Sequence, residues 1–260
     1  MKTGEIISNK LIQGSYFQVD FYAPEICRAA RPGHFVHVQI ANLTHRILRR
    51  PFSICDCSSD GALRVLYKCV GEGTTALSKL QPGTVCDLMG PLGNPFLAPA
   101  ADEYPILVNG GYGAAATFML TKESSNGGLM LLGARSASDL LLVNEYEAAG
   151  FEVRVATNDG TAGHQGLVTD LLQQVIQQET TRKWRFYACG PEPMLMAVAS
   201  ILQKNHLSGE ISLDHLMCCG VGACFACVVK VKADTPEGWR YARSCKEGPV
   251  FNSEQLYLEK

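Results

Sequence analysis

Along the first hundred residues, apolar and polar side chains alternate in short bursts at 17–22, 35–40 and 62–69. A period of two sends successive side chains to opposite faces, so each burst predicts a strand with one buried face. Pro32-Gly33, Asp60-Gly61 and Pro82-Gly83 fall where the alternation breaks, and each supplies the restricted or positive φ of a tight turn. Residues 1–100 therefore read as an antiparallel β-barrel. Beyond a proline-rich junction at 91–105 the texture changes. Apolar strands at 106–109, 129–134, 152–156 and 185–189 alternate with helical stretches at 114–123, 138–149, 167–178 and 193–204. Strand and helix in turn predict a parallel α/β unit over 101–205. Ligands of such sheets lie at the carboxyl ends of the strands, which directs the loops beginning at Asn109, Gly133, Thr157 and Cys189 to one crevice. The remaining stretch, 206–260, is too short for a large apolar core and is expected to need a metal as a staple. The expected fold class is multidomain, α/β plus β.

Composition narrows the function. The 260 residues carry 23 basic and 25 acidic side chains, a net charge of −2, and no half has the basic surplus that nucleic-acid binding exploits. The longest apolar runs, 129–132 and 140–143, fall far below the roughly 20 residues that span a bilayer. The first 14 residues mix Lys2, Glu5, Asn9 and Lys10 with apolar side chains, unlike the uninterrupted hydrophobic region of a secretory signal. A cytoplasmic protein is expected. Of the 11 cysteines, Cys218, Cys219, Cys224, Cys227 and Cys245 crowd into the last fifth of the chain, which argues for a metal centre in a reducing compartment.

Cys219, Cys224, Cys227 and Cys245 follow C-x4-C-x2-C with a fourth cysteine downstream, the plant-type [2Fe-2S] spacing. Gly220 and Gly222 suit a loop that turns its backbone N–H groups toward sulfides. The alternative is a four-cysteine zinc site, which usually presents two short cysteine pairs. Cys218 could replace Cys219, but only Cys219 gives the x4 interval. A second group is Arg50-Pro51-Phe52-Ser53 at a strand end, with Leu66-Tyr67-Lys68 and then Gly73-Thr74. A cation, a hydroxyl and a helix start can hold a flavin ring and its phosphates, although an ordinary strand end fits the same residues. A third is the glycine-rich turn after the strand at 106–109, with Gly110, Gly111 and Gly113, joined by Cys189-Gly190-Pro191 after the strand at 185–189. Both loops would meet a pyrophosphate at one sheet edge, the alternative being simple tight turns. Cys189 either lies against a nicotinamide or is merely buried. His164 reads as a hydrogen-bonded structural or surface group. No nucleophile–base pair or paired carboxylates stand out.

In this order, R-P-F-S, G-E-G-T, G-G-Y-G, C-G-P-E-P-M and the cysteine loop resemble the ferredoxin-reductase superfamily. The stretches 155–170, 217–224 and 244–251 are similar, more narrowly, to electron-transfer subunits of type B dihydroorotate dehydrogenases. The resemblance covers nearly the whole chain. It implies FAD held by Arg50, Pro51, Phe52, Ser53, Leu66, Tyr67, Lys68, Gly73 and Thr74, a cluster on Cys219, Cys224, Cys227 and Cys245, and NAD at the glycine-rich loops. It also implies an FMN-containing dihydroorotate dehydrogenase catalytic subunit as partner, in a two-plus-two heterotetramer serving UMP synthesis. Relatives carry glycine at the position of Asn109 and proline at that of Ala116. Asparagine can adopt positive φ and alanine can start a helix, so the loop is expected to survive. The rival readings are a reductase subunit serving a sulfite- or sulfide-linked partner, and a non-redox protein with a zinc-stapled carboxy terminus.

Overall fold

The computed structural model describes residues 2–43, 46–178, 182–213 and 216–259. Met1 and Lys260, the outer ends of the expected units, lie outside the described residues. The first strands are β1 (Lys2–Gln13), β2 (Tyr16–Tyr22), β3 (Phe35–Gln39), β4 (Arg50–Ser53), β5 (Asp56–Cys57), β6 (Ala62–Lys68) and β7 (Val85–Leu92). Short helices α1 (Pro24–Cys27) and α2 (Glu72–Leu77) sit between them. All the strand pairs are antiparallel, in the order β4-β3-β7-β1-β2-β6-β5, and β4 also comes against β6 as the sheet curls. Val19, Phe21, Val36, Val38, Leu63 and Val65 alternate inward to make its core.

A second sheet is built from β8 (Glu103–Gly110), β9 (Gly128–Ala134), β10 (Phe151–Thr157), β11 (His164–Gln165), β12 (Lys183–Cys189) and β13 (Gly209–Ser212). Its helices are α3 (Ala114–Thr117), α4 (Val143–Ala148), α5 (Val168–Gln177) and α6 (Glu192–Lys204). The carboxy-terminal stretch adds β14 (Val228–Lys232), β15 (Trp239–Arg243), helix α7 (Ser244–Glu247) and β16 (Val250–Asn252). The second sheet runs β11-β10-β9-β8-β12-β13-β16, parallel except for β16. Both faces are covered. Ile106, Val108, Leu129 and Leu131 point to the α5–α6 side, while Leu107, Met130 and Leu132 point to the α3–α4 side. Burial on both sides explains why these strands read as continuous apolar runs. The chain leaves β8 outward through β9 and β10, then returns to lay β12 on the other side of β8. That reversal opens a crevice between the ends of β8 and β12.

Two differences from the sequence reading have local causes. The helix expected over 114–123 is a 3-10 turn at Gly111–Gly113, one turn of α3, and a second 3-10 stretch at Phe118–Lys122. The Thr117 and Thr121 hydroxyls bond back to the Ala114 and Phe118 carbonyls and compete with the helical ladder. Secondly, hydrogen bonding crosses position 205: β13 and β16 extend the second sheet, and Val229, Val231, Ala242 and Leu256 pack into the same core as α6. Among the described residues, no helix is long and apolar enough to cross a membrane.

Candidate redox site

A cavity of about 400 Å³ lies where the curled first sheet, the second sheet and the cysteine-rich stretch meet. β4 contributes Arg50, Pro51, Phe52 and Ser53, β6 contributes Leu66, Tyr67 and Lys68, and Thr74 comes from α2. Gly73 does not line it but makes room: a Cβ there would stand 2.6 Å from Arg50 Nε. The Tyr67 ring is held between Phe17 and Phe52, with centroids at 5.5 and 5.8 Å, and its hydroxyl donates to Asn9 Oδ1 at 2.9 Å. Thr74 Oγ1 accepts from the backbone N–H groups of Val70 and Gly71 and fixes the turn into α2. The far wall holds residues that sequence reasoning left out: Tyr112 from the 3-10 turn after β8, Ala115 from α3, Ser212 from β13, and Leu216, Met217 and Pro249 from the cysteine-rich stretch. An apolar platform, a guanidinium and hydroxyls around a concave space fit an aromatic ring system with an anionic tail.

A second cavity, of about 520 Å³, occupies the crevice between β8 and β12. Gly110, Gly111, Pro191, Met194, Gly133 and Asn158 line it. Gly113, Gly190 and Cys189 do not, but they explain how its loops close. A Cβ on Gly113 would fall 2.3 Å from the Cys189 carbonyl oxygen and 2.8 Å from Gly190 N, so the two loops touch through their backbones. Cys189 is buried beneath them at the end of β12. Asn109 keeps an extended strand conformation in place of a positive φ, and its side chain donates to Thr117 Oγ1, which in turn meets the Tyr146 hydroxyl. Its amide thus ties the strand to α3. His164 approaches Asp170 at 3.5 Å and has a structural setting.

Lys68 and Tyr112 line both cavities. Lys68 Nζ donates to the Tyr16 hydroxyl at 3.0 Å and to Asp139 Oδ1 at 3.3 Å, Tyr16 donates to Asp139 at 2.9 Å, and Arg135 Nε donates to Asp139 Oδ2 at 3.2 Å. Burial works to raise the Asp139 pKa, but the hydrogen bonds from Tyr16 and Lys68 and the nearby cations outweigh it and hold the carboxyl below its ordinary value. The hydrogen bond to Tyr16 does most to raise the Lys68 pKa; burial opposes it, and the hydrogen bond and charge of Asp139 add to the rise. A fixed cation therefore stands where the two cavities join.

The cysteine loop stands against β3. Cys224 is exposed and Cys219 half-buried, while Cys227 and Cys245 are 2% and 3% exposed. Thiol contacts run between Cys219 and Cys224 and between Cys227 and Cys245, and the charge of Cys219 also reaches Cys245. Burial would raise the Cys219 pKa, but backbone N–H groups of Val221, Cys224 and Ala223 and the Cys224 thiol outweigh it and hold it at about 6. Burial, reinforced by Cys227, pushes Cys245 up to about 12. Among the described residues, no three Cys, His, Asp or Glu side chains converge on one ion position. Two thiols on each side suit a two-iron cluster, which shares its four cysteines between two metals, better than one tetrahedral ion. Gly220 (φ +70°) gives the loop its left-handed turn, and Arg243 Nη1 ties the Gly222 carbonyl at 3.0 Å. Cys218 is half-buried and outside both pairs.

Known proteins share this fold. The chain superposes on one from the structure of an NADH-dependent reduced ferredoxin-NADP oxidoreductase, with TM-score 0.84 and 28% identity over 98% of this chain and 90% of that one. The ferredoxin reductase of carbazole 1,9a-dioxygenase superposes with TM-score 0.68 at 20% identity, over 79% and 66% of the two chains. The fold is thus mixed α/β, of the ferredoxin-reductase kind. Residues 214–257 match the iron-sulfur cluster binding domain of dihydroorotate dehydrogenase B. The dihydroorotate dehydrogenase B (NAD(+)) electron transfer subunit of Desulforamulus reducens is 35% identical over 98% of this chain and 97% of its own length. That of Geobacillus kaustophilus is 36% identical over 97% of each. The chain belongs to the family of dihydroorotate dehydrogenase B electron transfer subunits.

Proposed function

We propose that this chain is the NAD-linked oxidoreductase subunit that carries electrons from the FMN of a dihydroorotate dehydrogenase catalytic subunit, through a [2Fe-2S] cluster and FAD, to NAD+. The observation that carries this reading is the shared wall. The cavity at β4 and β6 borders the dinucleotide crevice through Lys68 and Tyr112, and it borders the cysteine loop through Phe35 and Met217. Residues 1–100 would hold FAD, 101–205 NAD, and 206–260 the cluster, with β13 and β16 completing the second sheet.

FAD supplies the exchange between a two-electron hydride and single electrons. The protein's own work is placement. Arg50, beside the start of α2, would offer its guanidinium to the FAD phosphates, and Pro51, Phe52, Ser53, Leu66 and Tyr67 would form the platform for the ring. Gly110, Gly111 and Pro191 shape the space for a nicotinamide, with Gly113 and Gly190 closing the loops beneath. Lys68, held by Asp139 and Tyr16, would keep positive charge where the flavin cavity meets the nicotinamide crevice, available to offset negative charge there. Cys219, Cys224, Cys227 and Cys245 hold the cluster.

Val221 and Phe225, exposed beside the cysteines, with Leu216 and Val70 at the cavity rim, form an apolar face for the catalytic subunit. The assembly is a two-plus-two heterotetramer in the cytoplasm, serving pyrimidine synthesis. Co-purification with the FMN subunit, followed by an assay of dihydroorotate-dependent NAD+ reduction, tests the reading. Activity, flavin and iron that require both chains support it. Flavin and iron without that activity would transfer the function to a reductase subunit with another partner, a second reading favoured by the likeness to the ferredoxin-NADP oxidoreductase.

A further inference from the structure

His37, in the middle of β3, has no exposed surface, and among the described residues neither Nδ1 nor Nε2 has a hydrogen-bond partner. Burial and the neighbouring Arg49 push its pKa down, and in either protonation state the ring carries at least one N–H donor. A buried polar group without a partner is unfavourable, and native proteins rarely keep one.

The surroundings of the ring say what completes it. A Cβ on Gly220 would stand 2.9 Å from His37 Nε2 and 3.1 Å from Cδ2 and Cε1, so the tip of the ring abuts the residue that follows Cys219. Phe35, two residues earlier, has its ring centroid 5.6 Å from that of His37 and packs with Met217, Cys227 and Cys245. β3 thus presents Phe35 to one cysteine pair and His37 to the loop that carries the other. On the ladder His37 stands opposite Pro51, which lines the flavin cavity. β3 thereby sets the imidazole between the cysteine loop and the strand that lines the flavin cavity.

We propose that His37 donates a ring N–H hydrogen bond to a sulfur of the iron-sulfur cluster and raises its reduction potential, a proposal that rests on the cluster assignment above. Cluster sulfurs are acceptors, and reduction makes the cluster more negative. A donor therefore stabilises the reduced state more than the oxidised one. His37 is a tuning residue and not a ligand, because the four cysteines already complete the set.

The test uses the assembled complex, labelled with 15N-histidine and reduced with dithionite, and reads the cluster by pulsed electron paramagnetic resonance. A 15N coupling is expected on the reduced-cluster signal, absent in His37→Phe and retained in His215→Phe, the histidine four positions before Cys219 in the sequence. In a potentiometric titration His37→Phe should shift the cluster midpoint to lower potential, His37→Gln should restore part of the shift, and the flavin midpoint should stay in place. A normal cluster signal without histidine coupling, or His37→Phe titrating at the wild-type potential, would overturn the proposal and leave water as the partner of the ring. A preparation without iron or a cluster signal would instead overturn the assignment on which it rests, and the proposal with it.

Discussion

The cysteine loop and the dinucleotide crevice build their chemistry from opposite materials. In the loop the functional atoms are side-chain sulfurs at fixed spacing, and the backbone serves to aim N–H groups at them. In the crevice the functional surface is backbone and empty space, and the decisive contact is Gly113 against the Cys189 carbonyl. A side-chain site should fail at single atoms and leave the fold standing. A backbone site should fail through packing and take local stability with it.

Substitutions can break or sharpen that contrast. The largest effect is expected for Cys219→Ala in the assembled complex, where iron and the reduced-cluster signal disappear and dihydroorotate-dependent NAD+ reduction falls to background. NADH-dependent reduction of a one-electron dye should persist, because the crevice and flavin cavity are untouched; loss of both activities would sink the idea that the loop is separable. Gly113→Ala should destabilise the protein by about 1–3 kcal/mol through overpacking against an immovable carbonyl, read by urea unfolding, and should weaken NADH binding while iron content stays normal.

Asp139→Asn should act through pH. The folded carboxyl titrates below its ordinary value of roughly 3.9, so it contributes stability above that pH, which is lost as pH falls through the lower folded value. Urea midpoints of wild type and variant should therefore differ at neutral pH and converge in acid; a constant difference would remove Asp139 from the titration. The smallest effect is assigned to Cys218→Ala, which should leave iron content and the cluster signal unchanged, whereas loss of iron would exchange its role with that of Cys219.

How much was legible in advance follows the same division. The cysteine loop that matches an iron-sulfur binding domain could be located directly, since C-x4-C-x2-C is a local pattern, and the first strands could be read from their period of two. The Lys68, Tyr16 and Asp139 group could not, because Tyr16 and Asp139 are 123 residues apart in the chain and meet only through the fold. Its one advance signal was the rule that loops after parallel strands face one crevice, which pointed to the segment after Gly133. The loop after Asn109 was expected to survive because asparagine tolerates positive φ, yet Asn109 needs none: its amide finds Thr117 and the strand ladder continues through it. His37 was invisible for a related reason: within an alternating strand a histidine looks like one more inward position until the Gly220 loop is laid against it.

In the proposed route one chain joins a nicotinamide crevice to an iron-sulfur cluster through the cavity between them. Anaerobic addition of NADH to the purified complex, without dihydroorotate, tests it most directly by optical and electron paramagnetic resonance spectra recorded together. The expected result is flavin bleaching accompanied by the signal of a reduced [2Fe-2S] cluster. Bleached flavin beside a cluster that dithionite reduces but NADH does not would contradict it.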